Sequence, residues 1–323
     1  MFIHIVLLVI SIFFLVQSAD LLVEASVSLA KRYGLSMVVV GAVIVGFGTS
    51  MPELAVSTMA AGRNDLDLGV GNVIGSVIAN LSLVLGGAAL VGKVPISQRS
   101  LKTHLPLSLN AIFWFCLFVQ GGLRRYEGFI LLFILVISLA LIVRIDMAGP
   151  VFLAEEDSDE LSNRRAMLDR FLQKVENQDA VKVIAGLFLL LISSWIITES
   201  STGLADEWGI GSGFVGASLV AVGTSLPEMV ASIVSVRKGK PEIIVGTILG
   251  SNIFNGAAIG ATMGIIGPGE LSDDSLIGSL TIVAILAIVL IWIVKGFSKE
   301  PIGKISGFFL LSIYALWMLF VGI

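Results

Sequence analysis

The chain has 323 residues, 56% of them hydrophobic and only 14% charged, with a formal net charge of −4. A soluble domain carries roughly 25% charged residues, so a soluble enzyme or a soluble binding module is excluded. The single cysteine, Cys116, lies inside the apolar run AIFWFCLFV, which leaves neither a disulfide framework nor a thiolate metal site.

Apolar runs of about 18–25 residues recur down the chain, each long enough to cross ~30 Å of hydrocarbon. The first, MFIHIVLLVISIFFLVQSADLL, lacks a basic leader and a small-x-small cleavage site, and it continues apolar past residue 28. It therefore reads as a spanning helix and not as a signal peptide. The pattern predicts an all-α polytopic membrane protein of ten transmembrane helices. They fall near 2–31, 36–62, 67–91, 105–121 and 126–145, then near 180–207, 212–236, 241–267, 276–297 and 301–322.

Basic residues sort by side under this segmentation. Of the 20 Lys and Arg, 17 fall in the odd-numbered connections, and only Arg63, Arg124 and Arg125 fall in the even-numbered ones. The positive-inside rule then places both termini outside and the 146–179 linker in the cytoplasm. That linker holds the acidic run EEDSDE at 155–160, followed by Leu168, Phe171, Leu172 and Val175 at helical spacing. It reads as a solvated connector, with an amphipathic surface helix or a regulatory cation site as the alternatives.

The sequence repeats itself. Shifted by 175 residues, Glu24 meets Glu199, Gly41 meets Gly216, GTSMPE at 48–53 meets GTSLPE at 223–228, and Ser57 meets Ser232. Gly71, Gly75, Ser76 and Asn80 then meet Gly246, Gly250, Ser251 and Asn255. Each half holds an odd number of spans, so the second must lie inverted relative to the first. The expected organisation is a five-helix repeat over 1–145, the linker, and an inverted five-helix repeat over 180–323. Interrupted helices in such repeats build a shared site near the bilayer midplane.

The break itself carries chemistry. Glu53 lies three and four residues after Ser50 and Thr49, so all three share a helix face. Pro52 removes a backbone hydrogen bond, and Gly46 and Gly48 permit close backbone approach. The next span offers Ser76 and Asn80 on one face, and the second half repeats the set as Thr224, Ser225, Glu228, Ser251 and Asn255. These are oxygen ligands without His or Cys, which suits Ca²⁺ and Na⁺ and disfavours softer metals. A single Ser or Gly at such a place often only bonds backbone or packs helices. Two glutamates at bilayer depth are different, because ionisable groups there are costly and functional by default. Asp20, Glu24 and Glu199 also fall within spans; Glu24 and Glu199 sit nearer the helix ends, where snorkelling is cheap, and they either line ion access paths or cap helix ends at the interface.

The paired G-T-S-x-P-E motifs, each followed by G-x-x-x-G-S-x-x-x-N, resemble the alpha repeats of the cation/calcium antiporters, specifically the prokaryotic sodium/calcium exchangers. The resemblance implies exchange of about three Na⁺ for one Ca²⁺ by alternating access, with Glu53 and Glu228 as shared ligands. It further implies that Thr49, Ser50, Ser76, Thr224, Ser225 and Ser251 and the carbonyls of Gly46 and Ala221 complete the site, and that the first and sixth spans slide against the rest. At Asn255 the potassium-dependent branch carries Asp. With amides at both Asn80 and Asn255 the centre holds two formal negative charges, which argues against potassium co-transport. The proton/calcium branch usually carries GNA-type motifs in place of GTS.

The expected function is therefore a secondary active transporter in the cell membrane that expels Ca²⁺ in exchange for Na⁺. An H⁺/Ca²⁺ or other divalent antiporter is the alternative, and a passive cation channel stands further off. No nucleophile–base set or HExxH is present, so no enzyme is expected. Expected partners are the two ions and the bilayer, with no cofactor and no nucleic acid, and a monomer fits.

Overall fold

The computed structural model describes residues 2–33, 35–147, 161–207, 221–271 and 301–321, together with 286, 290 and 294. The described residues are almost wholly helical. The helices are α1 (Phe2–Tyr33), α2 (Met37–Thr49), α3 (Met51–Gly62), α4 (Leu66–Val91), α5 (Ser100–Val119) and α6 (Arg125–Met147). Then come α7 (Leu161–Glu207), α8 (Ala221–Thr224), α9 (Leu226–Arg237), α10 (Glu242–Ile266) and α11 (Lys304–Val321). The second expected span is the broken pair α2–α3, bent by 45°. The ninth lies outside the described residues apart from Leu286, Leu290 and Val294, which are helical and buried.

The sixth span departs from expectation: its helix begins at Leu161 and not near 180, so the second half of the expected connector is helical. The stretch from 161 to 190 contains one Gly and no Pro and is rich in Leu, Arg, Lys and Gln. Those residues lose little freedom in a helix, and nothing stops the span's helix from propagating backward into the polar segment.

Polarity of burial sets the layers. α10 is buried throughout its apolar window and α4 over most of its own, while α1, α6 and α7 expose apolar side chains such as Phe13, Phe129 and Phe188 on their outer faces. The central pair are repeat partners and rich in Gly, Ser and Asn, as close helix packing inside a bilayer requires. Gly41 of α2 packs on the backbone of Ile243, Gly246 and Thr247 in α10. Gly46 packs likewise on Thr247 and Ser251.

Two further features recur at nearly corresponding places in the two halves. Val94 forms a bridge with Ile302, and Gly269, its repeat counterpart, forms one with Leu123. Wide π-helical turns occupy Asn80–Val84 and Phe254–Ile259, the same place in each half. Such turns are inserted where a helix must re-aim side chains, often at functional sites.

Candidate cation site

Both GTS-x-PE motifs break their span in the same way. Ser50 leaves the helix at φ −86°, ψ 11°, and Ser225 does so at φ −89°, ψ 1°. Contrary to expectation, Pro52 removes no backbone hydrogen bond: it and Pro227 fall in the first turn of the resumed helix, where that N–H would be unpaired anyway. Helix resumes when Leu54 N–H donates to the Ser50 carbonyl at 3.2 Å and Met229 N–H to the Ser225 carbonyl at 3.1 Å. Glu53 and Glu228 thus sit in the first turn of α3 and α9.

The break brings the halves together. Ser50 Oγ donates to Glu228 Oε1 at 2.9 Å, linking the motif of one repeat to the carboxylate of the other. Ser76 Oγ lies 3.5 Å from Glu53 Oε1. Glu53 and Glu228 are each 1% exposed and close enough to act on one another electrostatically. Thr49, Ser50, Ser76, Asn80, Thr224, Ser225, Ser251 and Asn255 are all buried with them. Every predicted side chain therefore falls within the buried interior, and Ala221 opens the short helix α8 that leads into Thr224.

The Gly46 carbonyl is more occupied than expected. It accepts hydrogen bonds from Ser251 Oγ at 3.0 Å, Ser50 N at 3.2 Å and Thr49 Oγ1 at 3.3 Å. Thr49 Oγ1 also bonds back to Val45 at 2.8 Å. These two hydroxyls hold the backbone of the break in place as well as lining the site.

What stays unpaired is informative. Glu53 Oε2, Glu228 Oε2, Ser225 Oγ, Asn80 Oδ1 and Asn255 Oδ1 are buried without a hydrogen-bond partner. Among the described residues no Lys, Arg or His forms an ion pair with either glutamate. Two buried carboxylates without counter-charge are strongly unfavourable, and unsatisfied acceptors of this number call for a cation. No cluster of three or more His, Cys, Asp or Glu forms among the described residues, and the unpaired buried atoms named above are oxygens of hydroxyl, amide and carboxylate groups.

Two site-adjacent residues were missed by sequence reasoning. Asn72 Nδ2 donates to the Glu53 carbonyl at 3.1 Å and to Ser57 Oγ at 2.9 Å, tying α3 to α4. Asn252, fully buried, accepts from Asn80 Nδ2 at 3.2 Å. That bond commits the nitrogen of Asn80 and leaves its oxygen unpaired. The repeat hid both residues, because Asn72 corresponds to Thr247 and Asn252 to Val77. A buried amide directly after Ser251 was the signal available.

Inverted repeats with broken helices, closing on an oxygen-lined pair of carboxylates, define a membrane cation antiporter. The family described as sodium/calcium exchanger protein matches residues 3–144 and 180–322, and the chain belongs to it. The chain is 31% identical to inner membrane protein YrbG of Escherichia coli over 97% of its length and 94% of that protein's. It is 28% identical to sodium/calcium exchanger MaX1 of Methanosarcina acetivorans over 98% and 97% of the two chains. The solved structure of the sodium-calcium exchanger NCX_Mj has the same fold, with a TM-score of 0.80, 24% identity and 98% of both chains covered.

Proposed function

We propose that the protein exchanges Na⁺ for Ca²⁺ by alternating access, with residues 1–145 and 180–323 as its two inverted halves. Both termini face outside and the 146–179 linker faces the cytoplasm. The single observation that carries this reading is the pair of buried, uncompensated carboxylates, Glu53 and Glu228, each beside a serine hydroxyl. Two negative charges neutralise one Ca²⁺. The hydroxyl oxygens of Thr49, Ser50, Ser76, Thr224, Ser225 and Ser251 supply neutral ligands for Na⁺, which protons would not need. Asn80 and Asn255, with backbone at Gly46 and Ala221, complete the set.

Charge balance fixes the electrical behaviour. The Ca²⁺-loaded site is neutral, whereas about three Na⁺ leave one positive charge, worth about 2.3 kcal/mol per 100 mV when it crosses the membrane. An inside-negative potential then favours Na⁺ entry and Ca²⁺ exit. Uptake of radiolabelled Ca²⁺ into Na⁺-loaded proteoliposomes is expected to persist with a protonophore present. It is also expected to accelerate under an inside-positive K⁺–valinomycin potential. Uptake that follows an imposed pH step instead, and ignores the Na⁺ gradient, identifies protons as the coupling ion.

Asn252 offers a finer test of the ligand set. In Asn252→Val, which copies the other repeat, the Asn80 amide loses the one hydrogen-bond partner it has among the described residues and is free to rotate its nitrogen toward the cation. One hydrogen bond of about 0.5–1.5 kcal/mol corresponds to a roughly two- to tenfold rise in the KM for Ca²⁺. An unchanged KM removes Asn80 from the ligand set.

A further inference from the structure

The two halves are not in equivalent positions on the two faces of the membrane. The ends of α3 and α9 are built identically. Arg63 and Lys238 are repeat counterparts, and each is followed by a left-handed residue, Asn64 at φ 59° and Gly239 at φ 68°. The closing bonds match too. Asp65 N–H donates to the Ala60 carbonyl and Lys240 N–H to the Ser235 carbonyl, both at 2.9 Å. Because the halves are inverted, these two basic side chains stand on opposite faces.

Their surroundings differ. Lys238 Nζ lies 3.0 Å from Asp20 Oδ1 and 3.5 Å from Glu24 Oε2, which clasps the end of α9 to α1. Glu24 corresponds to Glu199 on α7, yet Arg63 and Glu199 are both exposed and neither forms an ion pair with any other described residue. Packing follows the same division. α1 lies along α9, whereas α7 has no comparable seat on α3. Met59 of α3 is 57% exposed while its counterpart Val234 of α9 is 4% exposed. α1 and α7 make the most extensive helix pairing among the described residues. If α1 leaves α9, α7 can approach α3.

We propose that Lys238 with Asp20 and Glu24, and Arg63 with Glu199, are two alternating latches. The first closes the Lys238 face in the conformation described here. The second closes the opposite face after the α1–α7 pair has moved, and the two exclude each other. Both stabilise end states, so their difference sets how the transporter divides its time between faces. The proposal rests on exchange by alternating access and on no particular coupling ion, so it survives if protons replace Na⁺.

Disulfide trapping tests it in a Cys116→Ser background reconstituted in proteoliposomes. Glu24→Cys with Lys238→Cys, and separately Glu199→Cys with Arg63→Cys, are each expected to cross-link on oxidation. Each disulfide is expected to stop isotopic Ca²⁺ exchange, and reductant to restore it. An exposed ion pair is worth up to about fivefold in population. Adding Lys238→Glu to the second cysteine pair is therefore expected to raise its cross-linking yield by about two- to fivefold. Adding Glu24→Lys as well is expected to return the yield to its starting value. The proposal is overturned if the Arg63–Glu199 pair never cross-links, if a cross-linked protein exchanges at full rate, or if Lys238→Glu leaves that yield unchanged.

Discussion

Replacing either Glu53 or Glu228 by Gln is expected to abolish Ca²⁺ exchange while leaving the protein inserted and folded. Each carboxylate is 1% exposed, holds one oxygen near a serine hydroxyl, and leaves the other without any partner. Removing one member of a buried charge pair costs about 3–5 kcal/mol, which is at least ~100-fold in Ca²⁺ affinity. The fold has no such stake in the charge. A neutral amide at bilayer depth is cheaper to bury than a carboxylate, so thermal stability without ions is expected to hold or rise. Ca²⁺ uptake, with melting monitored alongside, separates the two effects. Exchange near the normal rate by either variant would remove that glutamate from the site.

Gly246→Ala is expected to lose exchange and much of its thermal stability, although it touches no proposed ligand. A Cβ at residue 246 runs into the Val38 carbonyl oxygen and crowds the Ala42 backbone. Backbone cannot swing aside as a long side chain can, so α2 must move off α10. Overpacking of this kind costs about 1–3 kcal/mol. It also draws Gly46 away from Ser251, the contact that anchors the break leading to Thr49 and Ser50. Gly62→Ala, which meets open space, serves as the control and is expected to leave both exchange and melting unchanged. Equal behaviour of the two variants in a melting assay would contradict the α2–α10 contact.

The π-helical turns at Asn80–Val84 and Phe254–Ile259 gave no sign in the sequence. An extra residue in one helical turn leaves the apolar periodicity of a fully buried helix almost unchanged, since no polar face exists to fall out of phase. The linker shows the opposite failure. Its charge marked it as solvated, and local propensity then made its second half helical. Solvation and helicity are independent, and the helical spacing of Leu168, Phe171, Leu172 and Val175 offered the helix only as the alternative to a plain connector.

The sequence by itself determined the class of molecule and the inverted repeat, and it singled out the two glutamates as candidates. Each follows from a rule that needs no tertiary contact: hydrocarbon thickness, an odd number of spans per half, and the cost of a carboxylate in lipid. Pairwise geometry was decided only by the tertiary structure. Ser50 reaches Glu228 and not the glutamate of its own motif, the Gly46 carbonyl is already engaged by Ser251, and Asn252 orients Asn80 without a repeat counterpart. The same holds for the ion pairs at the ends of α3 and α9. Lys238 and Arg63 are equivalent in sequence and in backbone, and only the placement of α1 and α7 gives one of them partners. A repeat specifies equivalent backbone in its two copies, and the packing of α1 against α9 decides which copy finds partners.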